Sequence, residues 1–264
     1  MMNRARVPDL GWQIAGVVGS VAIVVALVIA IFAEPHDADT DLTVSWASDE
    51  LAGTNSTESA APSDEGRPLV SVIGDSFTAG TPQGGRDRQG WPALVWERLS
   101  EQGLPSTRSV DATGGSGYLE PGPFGVTFMD AVQRAVAPDD DLVVVFGGTN
   151  DVDLPLDELS SAAQNTLEAV RHRAPSAALI VVGPVWPGTS PSPAMVNVRD
   201  VLRAVAQSLG ATFVDPIQEA WFADQPQLIG RDHVHPNDDG HKYLADHLFP
   251  VIDAALRALP NGTG

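Results

Sequence analysis

The chain has 264 residues, 43% of them hydrophobic and 19% charged, with a formal net charge of -19. That balance suits a globular protein and argues against a phosphate-binding surface, because nucleic-acid binders cluster Lys and Arg and Lys242 is the only lysine here. The absence of cysteine excludes a disulfide framework, a thiolate metal site and a cysteine nucleophile.

In chain order, the first feature is an uncharged run over residues 14–33, IAGVVGSVAIVVALVIAIFA. About 20 apolar residues are what a helix needs to cross a bilayer core. The run is longer than the ~7–15 apolar residues of a cleaved signal peptide, so it reads as an uncleaved transmembrane anchor. Arg4 and Arg6 precede it, while Glu34, Asp37, Asp39 and Asp41 follow. The positive-inside rule then puts residues 1–13 in the cytoplasm and everything after residue 33 outside. Residues 34–67 hold nine acidic residues against Arg67 and few large apolar side chains. Such a segment buries too little surface to offset its ordering entropy, and it reads as an extended, acidic, disordered tether.

From Pro68 the pattern changes to apolar runs alternating with helical spacing, and residues 68–264 read as one domain. Strands are expected at 68–74, 107–112, 141–148, 178–185 and 211–216. Helices are expected at 90–103, 128–136, 156–174, 195–210 and 241–259. Strands alternating with helices indicate an α/β domain whose parallel five-stranded sheet is covered on both faces. Ligands of such sheets bind outside the carboxyl ends of the strands.

Three motifs fall at such ends. Ser76, in VIGDSFTAG, follows the first strand. Gly114-Gly115 follows the second, and Gly148-Thr149-Asn150-Asp151 the third. A fourth, Asp232-His233-Val234-His235-Pro236, lies in the last loop before the final helix. Gly, Asp and Ser are ordinary turn formers, but together these blocks hold what acyl transfer needs. Ser76 can attack a carbonyl, and a His held by a carboxylate can take its proton. Backbone N–H groups at Ser76 and a glycine, with the Asn150 amide, can face the developing oxyanion. Asp232 and His235, three residues apart, can point the same way from one turn.

The blocks Gly74-Asp75-Ser76-Phe77, Gly148-Thr149-Asn150-Asp151 and Asp232-His233-Val234-His235-Pro236, in this order, resemble the SGNH hydrolase superfamily, the GDSL-type esterases and lipases. The resemblance spans roughly residues 68–259. It implies a flavodoxin-like three-layer α/β/α sandwich and ester hydrolysis that needs neither metal nor cofactor. It also implies Ser76 as nucleophile and first oxyanion donor, His235 as base, Asp232 as its partner and Asn150 as an oxyanion donor. The glycine block is the looser match. Gly115 is chosen by its distance from the strand, with Gly114 and Gly117 as alternatives.

Two rivals stand beside this reading. His233, His235, His241 and His247, with Asp232, Asp238 and Asp239, could form a metal site, although that leaves Ser76 and Asn150 without a role. A catalytically inactive surface binding module is the other. For His241 and His247 the plainer expectation is solvated helix positions or caps, and for Asp75 and Asp151 bonds to loop backbone. Trp91, Trp96 and Trp221 are expected in the core, with Trp186 close to the active edge. The sequence thus reads as a membrane-anchored, extracytoplasmic serine esterase. Its expected partners are the membrane, through the N-terminal helix, and an acyl ester, on cell-envelope carbohydrate by preference. Acyl transfer to a sugar hydroxyl is the alternative outcome, and no nucleic-acid partner is expected.

Overall fold

The strands are short β-branched runs, and their pairing follows from being apolar on both faces. In this computed structural model, which describes residues 66–259, they are β1 (Leu69–Gly74), β2 (Thr107–Ala112), β3 (Leu142–Phe146), β4 (Ala178–Val182) and β5 (Thr212–Val214). They form one sheet of order β2-β1-β3-β4-β5 with every neighbouring pair parallel. All five residues of β3 are buried, as a central strand covered on both faces must be. Edge strand β2 reads TRSVDA and is half exposed; charged side chains on an edge discourage pairing with other chains.

Six helices cover the sheet: α1 (Ser76–Ala79), α2 (Trp91–Glu101), α3 (Phe128–Ala135), α4 (Leu156–Arg173), α5 (Pro193–Ser208) and α6 (Asp238–Arg257). Successive strand side chains point to opposite faces, and the two cores divide accordingly. Val70, Val72, Val144, Phe146, Ile180 and Val182 pack with Trp91, Val95, Leu99, Leu244, Leu248 and Ile252 of α2 and α6. Ile73, Val143, Val145, Leu179 and Val181 pack with Phe128, Val132, Leu159, Leu167, Val198 and Leu202 of α3, α4 and α5. Each fully buried side chain of this kind contributes roughly 1.5–3 kcal/mol. The result is the covered parallel sheet expected from the alternation and the three-layer α/β/α sandwich that the family resemblance implies.

The strand ends match the expected order but are shorter where glycine intervenes. β3 stops at Phe146 because Gly147 and Gly148 follow, Gly148 with φ of 111°. The last helix begins three residues before the apolar spacing suggests. Asn237 caps it, its Oδ1 accepting from the Gly240 N–H at 3.0 Å, and Asp238 and Asp239 sit in the first turn, where negative charge is favoured. The anchor expected at 14–33, its cytoplasmic flank 1–13 and nearly all of the 34–67 tether lie outside the described residues. Among the described residues, no helix is long and apolar enough to cross a membrane.

What the topology does for function is visible in the register. Gly74 pairs with Ala112 on one side and Phe146 on the other, and Phe146 with Val182, so the carboxyl ends of four strands share one edge. Strand order reverses at β1, whose neighbours are β2 and β3. A crevice opens at such a reversal, and the segments after β1 and β3 border it.

Candidate active site

Ser76 owes its position to a tight strand-to-helix turn. A Cβ on Gly74 would lie 2.3 Å from Thr78 Oγ1, so only glycine allows this approach. Asp75 caps the single turn of α1: its Oδ1 accepts from the Phe77 N–H at 2.9 Å, and its carbonyl from Thr78 and Ala79 at 3.0 and 2.9 Å. Ser76 is thereby the first helical residue, and only 8% of its surface remains accessible.

Asp232 and His235 come from a turn that Asp232 itself organises. Its Oδ1 accepts from the backbone N–H groups of Val234 and His235, both at 3.0 Å. Its Oδ2 lies 2.8 Å from His235 Nδ1, and His235 Nε2 lies 2.9 Å from Ser76 Oγ. An ionised carboxylate can only accept, so Nδ1 carries the proton and Nε2 accepts from the serine hydroxyl. Partial burial works to raise the Asp232 pKa. The hydrogen bonds from the His235 ring and the two amides outweigh it and hold the carboxyl below its ordinary value. A bridge between Ile229 and Pro236 and a 2.7 Å bond from the Gly230 N–H to the His235 carbonyl close the loop behind the ring. The Phe77 ring packs against the imidazole at 5.7 Å.

His233 has φ of 61° and is exposed. The segment thus turns at a left-handed residue, and of the two histidines it is His235 that meets Ser76.

The glycine block and Asn150 meet through Asp151. Asp151, fully buried, accepts from the amides of Tyr118, Leu119 and Glu120 at 3.0, 2.9 and 2.9 Å. Burial raises its pKa, and those three amides oppose the rise. A Cβ on Gly117 would lie 2.5 Å from Asp151 Oδ1, and the Gly117 N–H is already bonded to the Glu120 carbonyl. Gly117 therefore serves close packing, and its amide is not available to a ligand. Among the described residues, the amides of Gly114 and Gly115 have no protein acceptor. A Cβ on Gly114 would sit 3.7 Å from Ser76 Cβ, and Gly115 holds φ of 81°.

Asn150 Nδ2 donates to the Ser116 carbonyl at 2.8 Å and, at 3.3 Å, to Asp75 Oδ2. Burial pushes the Asp75 carboxyl up to about 7; the Phe77 amide opposes this and the nearby Asp151 adds to it. Asp75 and Asp151 thus do bond loop backbone, as expected. The role of Ser116 in holding Asn150 had no signature in the sequence.

The histidines do not converge. His241 is buried at 1% exposure, not a solvated position or cap, with Nδ1 accepting from the Trp91 N–H at 3.4 Å. Burial drives its pKa down to about 4 against the pull of Asp238. His247 is half-buried, its ring tilted against those of Tyr243 and Trp221 at 4.2 and 4.7 Å, with Nδ1–H donating to the Tyr243 carbonyl at 2.9 Å. Both depart from expectation because neighbours cover them, the Gly85 and Trp91 backbone over His241, and the Trp221 and Tyr243 rings over His247. Among the described residues, no group of three or more His, Asp or Glu side chains is arranged to hold a metal ion. Trp91, Trp96 and Trp221 are core residues, and Trp186 is half-buried.

A serine hydroxyl, an imidazole and a carboxylate in hydrogen-bonded series, beside two unengaged amides, can run acyl transfer. Residues 72–243 match the model of the GDSL-like lipase/acylhydrolase family. The chain belongs to that family. This hydrolase is 47% identical over 190 residues to a GDSL lipase of Mycobacterium tuberculosis, a match covering 71% of this chain and 82% of the relative. Its fold is shared by a lipase/acylhydrolase from Enterococcus faecalis, with TM-score 0.60 and 15% identity over 75% of this chain and 100% of that one. A carbohydrate esterase family 3 protein from Talaromyces cellulolyticus is also similar, with TM-score 0.54 and 20% identity over 73% and 100%.

Proposed function

We propose that the hydrolase is a membrane-anchored, extracytoplasmic serine esterase that cleaves acetyl or other short acyl esters through an acyl-enzyme on Ser76. The observation that carries this reading is the series Asp232–His235–Ser76, with separations of 2.8 and 2.9 Å. Ser76 Oγ attacks the ester carbonyl as its proton passes to His235 Nε2. Asp232 holds the ring and stabilises the imidazolium. The oxyanion is met by the Ser76 amide, by Gly115 or its neighbour Gly114, and by the Asn150 N–H held only loosely by Asp75. Collapse expels the alcohol, which takes the proton from His235. Water then attacks the acyl-enzyme, giving up its proton to His235, and the acid leaves as Ser76 is restored. No step calls on a metal or cofactor.

The anchor at 14–33 and the acidic tether at 34–67 favour an ester on cell-envelope carbohydrate, because they hold the site near the wall. A carbohydrate esterase shares the fold, which is compatible with such a substrate. When a sugar hydroxyl replaces water in the second half-reaction, the same site performs acyl transfer.

A panel of acyl esters of graded chain length, with and without sugar acceptors, tests the reading. Acetyl esters are expected to turn over fastest, and maximal rates on long chains would reject the short-acyl assignment. External protease on intact cells is expected to cut after residue 33; protection there would overturn the topology.

A further inference from the structure

Beside the site lies a groove of about 450 Å³ lined by Pro82, Gln83, Ile229, Gly230, Arg231 and Asn237. Its walls are the loop that follows α1, on which Ser76 sits, and the loop that carries Asp232 and His235. The walls are locked together. A Cβ on Gly84 would lie 2.4 Å from the backbone of Asn237 and Asp238, and the Gly85 N–H donates to Asp238 Oδ1 at 2.9 Å. Across the groove, the Arg231 N–H donates to Gln83 Oε1 at 3.0 Å.

The groove's polar groups are unequally occupied. Asn237 is held in place: Oδ1 accepts from the Gly240 N–H and Nδ2 donates to the Gln227 carbonyl. Gln83 Oε1 is taken by Arg231, which leaves the Gln83 Nε2 donors. The Arg231 guanidinium has no ion pair or hydrogen bond among the described residues. In a chain with 34 acidic against 15 basic residues, many of the cations are held by carboxylates. Arg98, Arg134, Arg199, Arg203, Lys242 and Arg257 all sit on carboxylates. The acids close to this groove are engaged too, Asp232 with His235 and Asp238 with Gly85. Among the groove's side chains, the free charge is a planar guanidinium suited to a carboxylate or phosphate.

We infer that this groove is a subsite for an anionic group on the substrate, so that the preferred ester carries a carboxylate or phosphate on its alcohol portion, met by the Arg231 guanidinium and Gln83 Nε2. The inference rests on the esterase reading above and narrows its substrate class. The strongly negative net charge repels such molecules in general, and Arg231 is the cation that lines this groove.

The test uses the full chain and three acetate esters: of a neutral hexose, of a hexuronic acid and of a hexose phosphate. Each is measured with wild type, Arg231→Gln and Arg231→Lys. Wild type is expected to prefer one or both anionic esters. Arg231→Gln is expected to lower the anionic-to-neutral ratio of kcat/KM about ten- to a hundredfold, chiefly through KM, and Arg231→Lys to restore part of it. The hexuronate and phosphate arms tell which anion is recognised. A ratio unchanged by Arg231→Gln, or an equal loss on all three esters, would overturn the subsite while leaving the esterase standing. If wild type hydrolysed none of them or any simple acetate, the esterase reading would fall and the subsite with it.

Discussion

Ser76 Oγ and His235 Nε2 stand 2.9 Å apart although 159 residues separate them in the chain. The first is placed by a capped turn after β1 and the second by an Asp232-centred turn before α6. Neither side chain holds the other's backbone, so each can be removed without dismantling its partner's loop.

His235→Ala should therefore remove the base and lower kcat on an aryl acetate by several orders of magnitude. His233→Ala should keep most of the activity, because that side chain is exposed and bonds to neither Ser76 nor Asp232. Asp232→Asn should lower kcat by roughly 10²–10⁴-fold, since it removes the charge that orients the ring. Turnover with folding checked by circular dichroism decides. Equal damage from His233→Ala and His235→Ala in folded protein would point to a shared metal instead.

Asn150→Ala should lower kcat about 10²–10³-fold with little change in KM, as loss of one oxyanion donor does. Gly117→Ala should harm activity for a different reason: its Cβ would press on Asp151 and loosen the clamp on Tyr118, Leu119 and Glu120. Amide exchange distinguishes them, with faster exchange at residues 118–120 expected in Gly117→Ala only. Faster exchange there in Asn150→Ala would recast Asn150 as a scaffold residue.

Two buried groups give opposite pH dependences to stability. Burial holds the His241 pKa at about 4, below its ordinary 6.5, so between those values the unfolded chain binds a proton that the native state refuses. Stability from the neutral ring is present above pH 6.5 and is lost as pH falls towards 4. Asp75 is raised from 3.8 to about 7, so its contribution falls as pH rises through that window. The stability advantage of wild type over His241→Gln should shrink on the order of 3 kcal/mol between pH 7 and pH 4. Asp75→Asn should gain on wild type as pH rises towards 7. Urea unfolding across this range reads both, and parallel stability curves for wild type and variants would contradict the assignment.

Much of this site is legible in the sequence because its chemistry is local. Asp232 and His235 lie within one turn, Ser76 follows a short apolar run closed by Gly74 that reads as a strand, and Asn150 follows another. The parallel sheet is legible for the same reason, since Val143 to Phe146 is a short β-branched, apolar run closed by two glycines. The rest depends on contacts distant in sequence. Whether Gly114, Gly115 or Gly117 keeps a free amide is decided by where Glu120 and Asp151 fold back. His241 reads as a polar residue at a helix start, and only the approach of Trp91 and Gly85, about 150 residues away, buries it. The start of α6 was displaced because capping by Asn237, not hydrophobic spacing, sets it. The groove between Gln83 and Arg231 joins residues 148 apart and has no linear signature.

The central claim is that Ser76 is an activated nucleophile, and covalent capture tests it most directly. A fluorophosphonate should add one phosphonyl group, found by peptide mass spectrometry on Ser76, with fluoride lost and the serine proton passed to His235. Labelling should disappear in Ser76→Ala, slow severely in His235→Ala and persist in the presence of a chelator. Ester hydrolysis that survives in folded Ser76→Ala, or an adduct on a residue other than Ser76, would contradict the account.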